Sequence, residues 1–162
     1  MLAVINIYQI AVGIISLIVF VGTLKKSLGN DINLNLAFTS LALIALIVYL
    51  IYTNVLMLIK KGNFKRLLQI NIWVNFAQVF YLSLLGFSYY IFIGIQIMPY
   101  FLYKQNINLG VHYELFNVRF SFSYQANEEI AFGLNLIPLI LCILLNRILN
   151  KHLIETHKES FK

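Results

Sequence analysis

The sequence predicts an all-α membrane protein, a four-helix transmembrane bundle with a small extramembrane β-hairpin between spans three and four. Residues 1–24, 32–59, 67–103 and 130–146 contain no Asp, Glu, Lys or Arg and are dominated by Leu, Ile, Val, Phe and Tyr. The chain is 60% hydrophobic and 11% charged, against about 25% charged in soluble domains. Residues 107–125 alternate apolar and polar side chains with a period of two, the signal of a strand. An uncharged apolar run of about 18 residues or more is long enough to cross a bilayer as a helix. Four such runs in 162 residues leave no room for a separate soluble domain. The whole chain, 1–162, therefore reads as one integral-membrane domain with lipid as its main solvent.

Span one covers about residues 2–24 and ends at Lys25-Lys26. No basic stretch precedes it, and Val21-Gly22-Thr23-Leu24 is a poor small-residue cleavage motif, so it is expected to remain as an anchor. Ser27 to Asp31 has turn composition, with Asp31 placed to cap the next helix. Span two covers about 34–59. The loop Lys60 to Arg66 holds four cations, Lys60, Lys61, Lys65 and Arg66, and is short enough to make spans two and three an antiparallel hairpin.

Span three is expected over about 67–97. As a helix, the uncharged stretch up to Tyr103 would run roughly 55 Å at about 1.5 Å per residue, well beyond a hydrocarbon core of about 30 Å. Pro99 cannot continue a helix and disfavours helical geometry at Met98, which places the end near 94–97, with tilt or a bend near Gly86. The alternating segment follows. Ile107, Leu109, Val111, Tyr113 and Leu115 occupy one phase; Phe116, Val118, Phe120, Phe122 and Tyr124 occupy the other. A phase flip at 115–117 marks a tight turn or a bulge. The reading is an amphipathic β-hairpin over about 107–125, with 107–114 paired to 118–125, lying at the membrane surface because open sheet edges are not tolerated in hydrocarbon. Span four covers about 130–149, with Glu128 and Glu129 at its electropositive start and Pro138 kinking its interior. A charged tail, 150–162, extends it.

Four crossings put both termini and the 60–66 loop on one side, with Lys60, Lys61, Lys65, Arg66, Arg147, Lys151, Lys158 and Lys162. The other side holds Lys25, Lys26, Lys104 and Arg119. The positive-inside rule then makes both termini cytoplasmic and the hairpin external. It also accounts for the net charge of +6 without a nucleic-acid partner. Heavy use of Asn, Ile and Lys resembles chains from AT-rich genomes, and a bacterial cytoplasmic membrane is expected.

No motif points to catalysis. The chain has no Gly-rich phosphate loop, nucleophile elbow or HExxH. Within the expected spans the one Asp, Glu, Lys, Arg or His is Arg147, near the end of span four, and this scarcity counts against ion pumps and proton-coupled transporters. His112 and Glu114 are two ligands without a third, and His152 and His157 lack the spacing of a helical metal pair, so no metal or cofactor is expected. The distinctive polar feature is a stripe. Projected at about 100° per residue, Asn71, Asn75, Gln78, Tyr89 and Gln96 share one side of span three. Candidate partners are Asn6 and Gln9 on span one, Asn54 on span two and Asn135 on span four. Such amides act first as interhelical glue, averaging about 0.6 kcal/mol per bond, and second as the lining of a polar path. The aromatic hairpin residues Phe116, Phe120, Phe122 and Tyr124 form a candidate partner-binding face. The expected function is a non-catalytic subunit or scaffold of a membrane complex, its partners being the bilayer and either other membrane subunits or further copies of the chain. The alternative is a small oligomeric channel or transporter with a polar path along span three.

Overall fold

Among the described residues, three of the four uncharged stretches yield a membrane-length helix. A computed structural model describes residues 1–27, 34–84, 87–104, 106–124 and 130–159. In chain order these form α1 (Leu2–Ser27), α2 (Leu34–Leu58), α3 (Phe64–Ala77), β1 (Phe80–Leu84), β2 (Phe87–Tyr103), β3 (Ile107–Tyr124), β4 (Ile130–Leu134) and α4 (Leu136–Glu159). The fold is mixed α/β, four helices with an antiparallel sheet, and the all-α transmembrane bundle is overturned. The segments Leu2–Leu24, Thr39–Leu58 and Leu136–Ile154 are long and apolar enough to cross a membrane.

Expected span three is where the fold departs. α3 has 14 residues, about 21 Å of helix, and stops at Gln78, whose N–H donates back to the Asn75 carbonyl while the Val79 N–H donates to that of Phe76. Beyond it the chain reads Phe80-Tyr81-Leu82 and then Phe87-Ser88-Tyr89-Tyr90-Ile91-Phe92-Ile93. These aromatic and β-branched residues suit a pleated surface, and an apolar run alone does not separate a buried strand from a buried helix. Pro99 therefore lies inside β2 rather than at a helix end. Gly86, Asp31, Glu128 and Glu129 lie outside the described residues.

The hairpin is also repartnered. Residues 107–114 do not pair with 118–125; both halves belong to β3, which pairs along its length with β2, from Phe87↔Tyr124 to Tyr103↔Ile107. The phase flip is a bulge within one strand. Gly94 faces Asn117 and Gln96 faces Glu114, so Leu115 and Phe116 together oppose Ile95. Phe116 takes φ 52° and Gly94 φ 105° to accommodate it. Directly opposed residues share a face. His112 opposes Met98, Glu114 opposes Gln96 and Arg119 opposes Phe92, so the extra residue keeps His112, Glu114 and Arg119 on one side of the sheet.

Span four is shortened at its start. Residues 130–134 are strand β4, and α4 begins at Leu136. Pro138 therefore sits in the first turn, where the missing N–H would have had no helical partner anyway, and the expected mid-helix kink has no cause there.

The sheet closes on itself through strand direction. β1 runs antiparallel to the first part of β2 (Leu84↔Phe87 to Tyr81↔Tyr90) and antiparallel to β4. β4 is also antiparallel to the last part of β2 (Tyr100↔Gly133 to Tyr103↔Ile130). Those pairings are mutually consistent only if β2 reverses its heading between Tyr90 and Tyr100, with roughly 20–25° of strand twist per pairing easing the bend. The turn-back is centred on Gly94. It abuts the middle of α1, where a Cβ on residue 94 would run into Val12 Cγ1.

Two apolar clusters join the parts. At one end Ile5, Met57, Leu67, Leu68, Leu145 and Leu149 unite all four helices. At the other, Leu43 and Ile47 of α2 pack on Val118 of β3, with Leu17 and Phe20 of α1 against them. Leu2, Lys60 and His152 line one cleft, so the start of α1, the 60–66 loop and the far end of α4 share an end of the molecule.

Gly94→Ala is expected to cost about 1–3 kcal/mol from backbone strain at positive φ alone, on top of the collision with Val12. Reversible unfolding in mixed micelles would show this, and adding Val12→Ala should recover only the steric part.

Candidate functional site

The predicted polar stripe divides between two elements. Asn71, Asn75 and Gln78 keep one side of α3, while Tyr89 and Gln96 lie on β2. Asn71 is fully buried and bridges to α2: its Oδ1 accepts from Asn54 Nδ2 at 2.9 Å, and its Nδ2 donates to Thr53 Oγ1 at 3.2 Å. Asn54 Nδ2 also donates to the Leu50 carbonyl at 2.8 Å. Asn75 Nδ2 turns back on its own helix, to the Asn71 carbonyl at 2.7 Å. Thr53 escaped the sequence analysis because a hydroxyl one position from Asn54 carries no pattern of its own.

Gln78 and Asn135 act differently, and together. β1 and β4 occupy the two ends of one edge of β2 and leave residues 91–99 between them. Gln78 Oε1 accepts the Ile93 N–H at 3.1 Å, and Asn135 Oδ1 accepts the Ile97 N–H at 3.4 Å. Two residues further on, Pro99 has no N–H to satisfy. Side-chain amides thus stand in for the missing ladder. Gln78 is held by its Nε2 bond to the Val74 carbonyl, 3.2 Å. Asn135 also caps α4 by accepting the Ile137 N–H at 3.4 Å. Its own N–H donates to the Val79 carbonyl at 2.7 Å, tying the two helix–strand junctions together.

Tyr89 donates to the Ala77 carbonyl at 2.7 Å, satisfying an open carbonyl at the end of α3. Gln96 is fully buried; its Oε1 accepts from Tyr90 at 2.6 Å, and its Nε2 lies 3.2 Å from Met98 Sδ. Burial pushes the Tyr90 phenol above its ordinary pKa, which keeps it a donor. On α1, Gln9 meets Asn75 and Gln78 around a cavity of about 40 Å³. Asn6 is fully buried with neither side-chain polar atom hydrogen-bonded among the described residues.

The hairpin face is inverted relative to a water-soluble sheet. Phe116 is half-buried and Phe120 exposed; the side chains of Phe122 and Tyr124 lie outside the described residues. The open row consists instead of Ile107, Leu109, Val111, Tyr113 and Leu115, from 52% exposed at Leu115 to 77% at Leu109. In the polar phase of the same strand Glu114 is the covered charge, its side chain 17% exposed against 53% for Arg119. Glu114 pairs with Arg119 at 2.6 Å and stands 3.5 Å from His112. His112 and Arg119 line a cavity of about 690 Å³ shared with Tyr81, Tyr90 and Tyr100. The alternation in the sequence held this information, but it does not say which phase faces out.

β3 is an edge strand; among the described residues it pairs only with β2. Fold and surface together define a class: an α/β chain with three membrane-length apolar helices and a sheet whose edge strand exposes an apolar row. Comparison of the chain with family models, curated proteins and solved structures found no match.

Gln78→Leu and Asn135→Leu are each expected to lower stability by about 1–3 kcal/mol, because each strands a strand-edge N–H. Asn75→Leu removes only a bond within α3 and should cost less. Equilibrium unfolding of the three variants in one detergent system would rank them.

Proposed function

We propose that this chain is a non-catalytic integral-membrane subunit that assembles with another membrane protein through the outer face and edge of β3. The observation that carries this reading is the exposed row Ile107, Leu109, Val111, Tyr113 and Leu115 on an edge strand. In hydrocarbon, each unpaired backbone group along such an edge costs several kcal/mol. In water, a long apolar edge is a site of uncontrolled pairing. A partner that contributes a strand or an apolar surface answers both problems. The amides support the same reading. Asn54, Asn71, Gln78 and Asn135 are engaged with one another or with backbone groups, which suits a rigid scaffold better than a path for solute.

We further infer a bacterial cytoplasmic membrane, with the basic end of the molecule and both termini in the cytoplasm. Lys60, Lys61, Lys65 and Arg66 gather at that end, and Lys104 follows β2 at the other.

Native mass spectrometry of the tagged chain from gentle detergent is expected to show a complex of fixed stoichiometry with a second membrane protein. Leu109→Gln with Val111→Gln should release the partner while leaving the thermal midpoint of the chain unchanged. A monomer in gentle detergent, or a complex that survives the double substitution, would overturn the proposal.

A further inference from the structure

We propose that the end of the molecule remote from the sheet holds a binding site for the phosphodiester headgroup of an anionic phospholipid. It stands independently of the subunit reading. A cleft of about 610 Å³ opens where α1 begins, α2 ends, α3 begins and α4 nears its end. Its floor is apolar, formed by Leu2, Leu56, Met57, Phe64 and Leu67. Its rim carries Lys60, Lys61 and His152, with no carboxylate among the described lining residues.

Local backbone geometry presents the cations. Lys60 takes φ 55° and Gly62 φ 86°, so the chain turns sharply straight after α2. Asn63 then starts α3, its side chain accepting the Arg66 N–H at 3.1 Å. The first turn of α3 brings the partial positive charge of a helix start to the same place. Lys65 and Arg66 are exposed on that turn. Phe64 holds His152 against the wall, ring edge to face with centroids 4.9 Å apart.

Charge and depth together select the ligand. The membrane-length segments Leu2–Leu24, Thr39–Leu58 and Leu136–Ile154 all end near this cleft, which sets its rim at headgroup level and its floor toward the acyl carbons. A phosphodiester answers the lysines, and the glycerol and first methylenes answer Leu56, Met57 and Leu67. A zwitterionic lipid would bring its own cation against Lys60 and Lys61. Free inorganic phosphate would leave the apolar floor uncovered. Basic pockets at the ends of membrane helices recognise anionic headgroups on these terms.

The full chain would be transferred to mixed micelles doped with phosphatidylglycerol or with phosphatidylcholine of the same acyl chains, and retained lipid counted by native mass spectrometry. One phosphatidylglycerol per chain should be kept at least tenfold more than phosphatidylcholine. Lys60→Gln with Lys61→Gln should abolish that preference, and Lys104→Gln, at the sheet end, should leave it intact. Equal retention of the two lipids by the unsubstituted chain overturns the site, as does a preference that survives the double substitution. Displacement of the lipid by millimolar inorganic phosphate overturns the assignment to a lipid. If the double variant does not fold, the thermal midpoint of the unsubstituted chain decides: a rise with phosphatidylglycerol but not phosphatidylcholine supports the site, and equal midpoints overturn it.

Discussion

The fold depends on satisfying the backbone of β2 between Ile91 and Pro99. This segment turns back on itself beside the middle of α1, where water is scarce and an unpaired N–H is expensive. β1 and β4 are too short to cover it. The two residues at the helix–strand junctions, Gln78 and Asn135, reach across and accept the Ile93 and Ile97 N–H groups. Both can do so because their junctions are joined by the Asn135 N–H to the Val79 carbonyl. The helix pair α3 and α4 therefore has to stop where it does. One more turn of either helix would carry its amide past the gap.

That dependence explains why one stripe of the sequence was legible and its extension was not. Asn71, Asn75 and Gln78 recur at helical spacing because they lie on a helix, and the predicted partnership of Asn71 with Asn54 is a real bond between α2 and α3. Tyr89 and Gln96 fall on the same projected line only because the projection was continued past Ala77. Absence of charge reports burial or lipid contact, not conformation, so it gives α1 and α2 correctly and cannot see α3 become β1. The aromatic and β-branched density of 87–93 was the available signal. Pro138 and Pro99 both look like interruptions of helices in the sequence; each sits where its missing N–H is harmless, in a first turn and in the uncovered strand edge.

The phase flip at 115–117 shows a subtler limit. A turn and a bulge both produce such a flip, and the expected hairpin takes the turn. The true partner, β2, was hidden inside an expected helix. Once β2 is a strand, the flip has a physical purpose. Glu114 and Arg119 are five residues apart, an odd spacing that would place them on opposite faces of a regular strand. The bulge brings them onto one face and to 2.6 Å. An ion pair beside a cavity walled by tyrosines is thereby shared between both halves of β3.

The same bulge decides what the outside of the sheet must be. With His112, Glu114 and Arg119 on the cavity side of the sheet, the first half of β3 turns Ile107, Leu109, Val111, Tyr113 and Leu115 to the other. Apolar-out and polar-in is the pattern of strands that meet lipid or another protein. The charged cavity side and the apolar outer row are thus two sides of one register choice. A deletion of the extra residue would reverse the second half of β3 relative to β2 and move Val118 away from Leu43 and Ile47. The outer surface, the inner ion pair and the seat of the sheet on α1 and α2 stand or fall together.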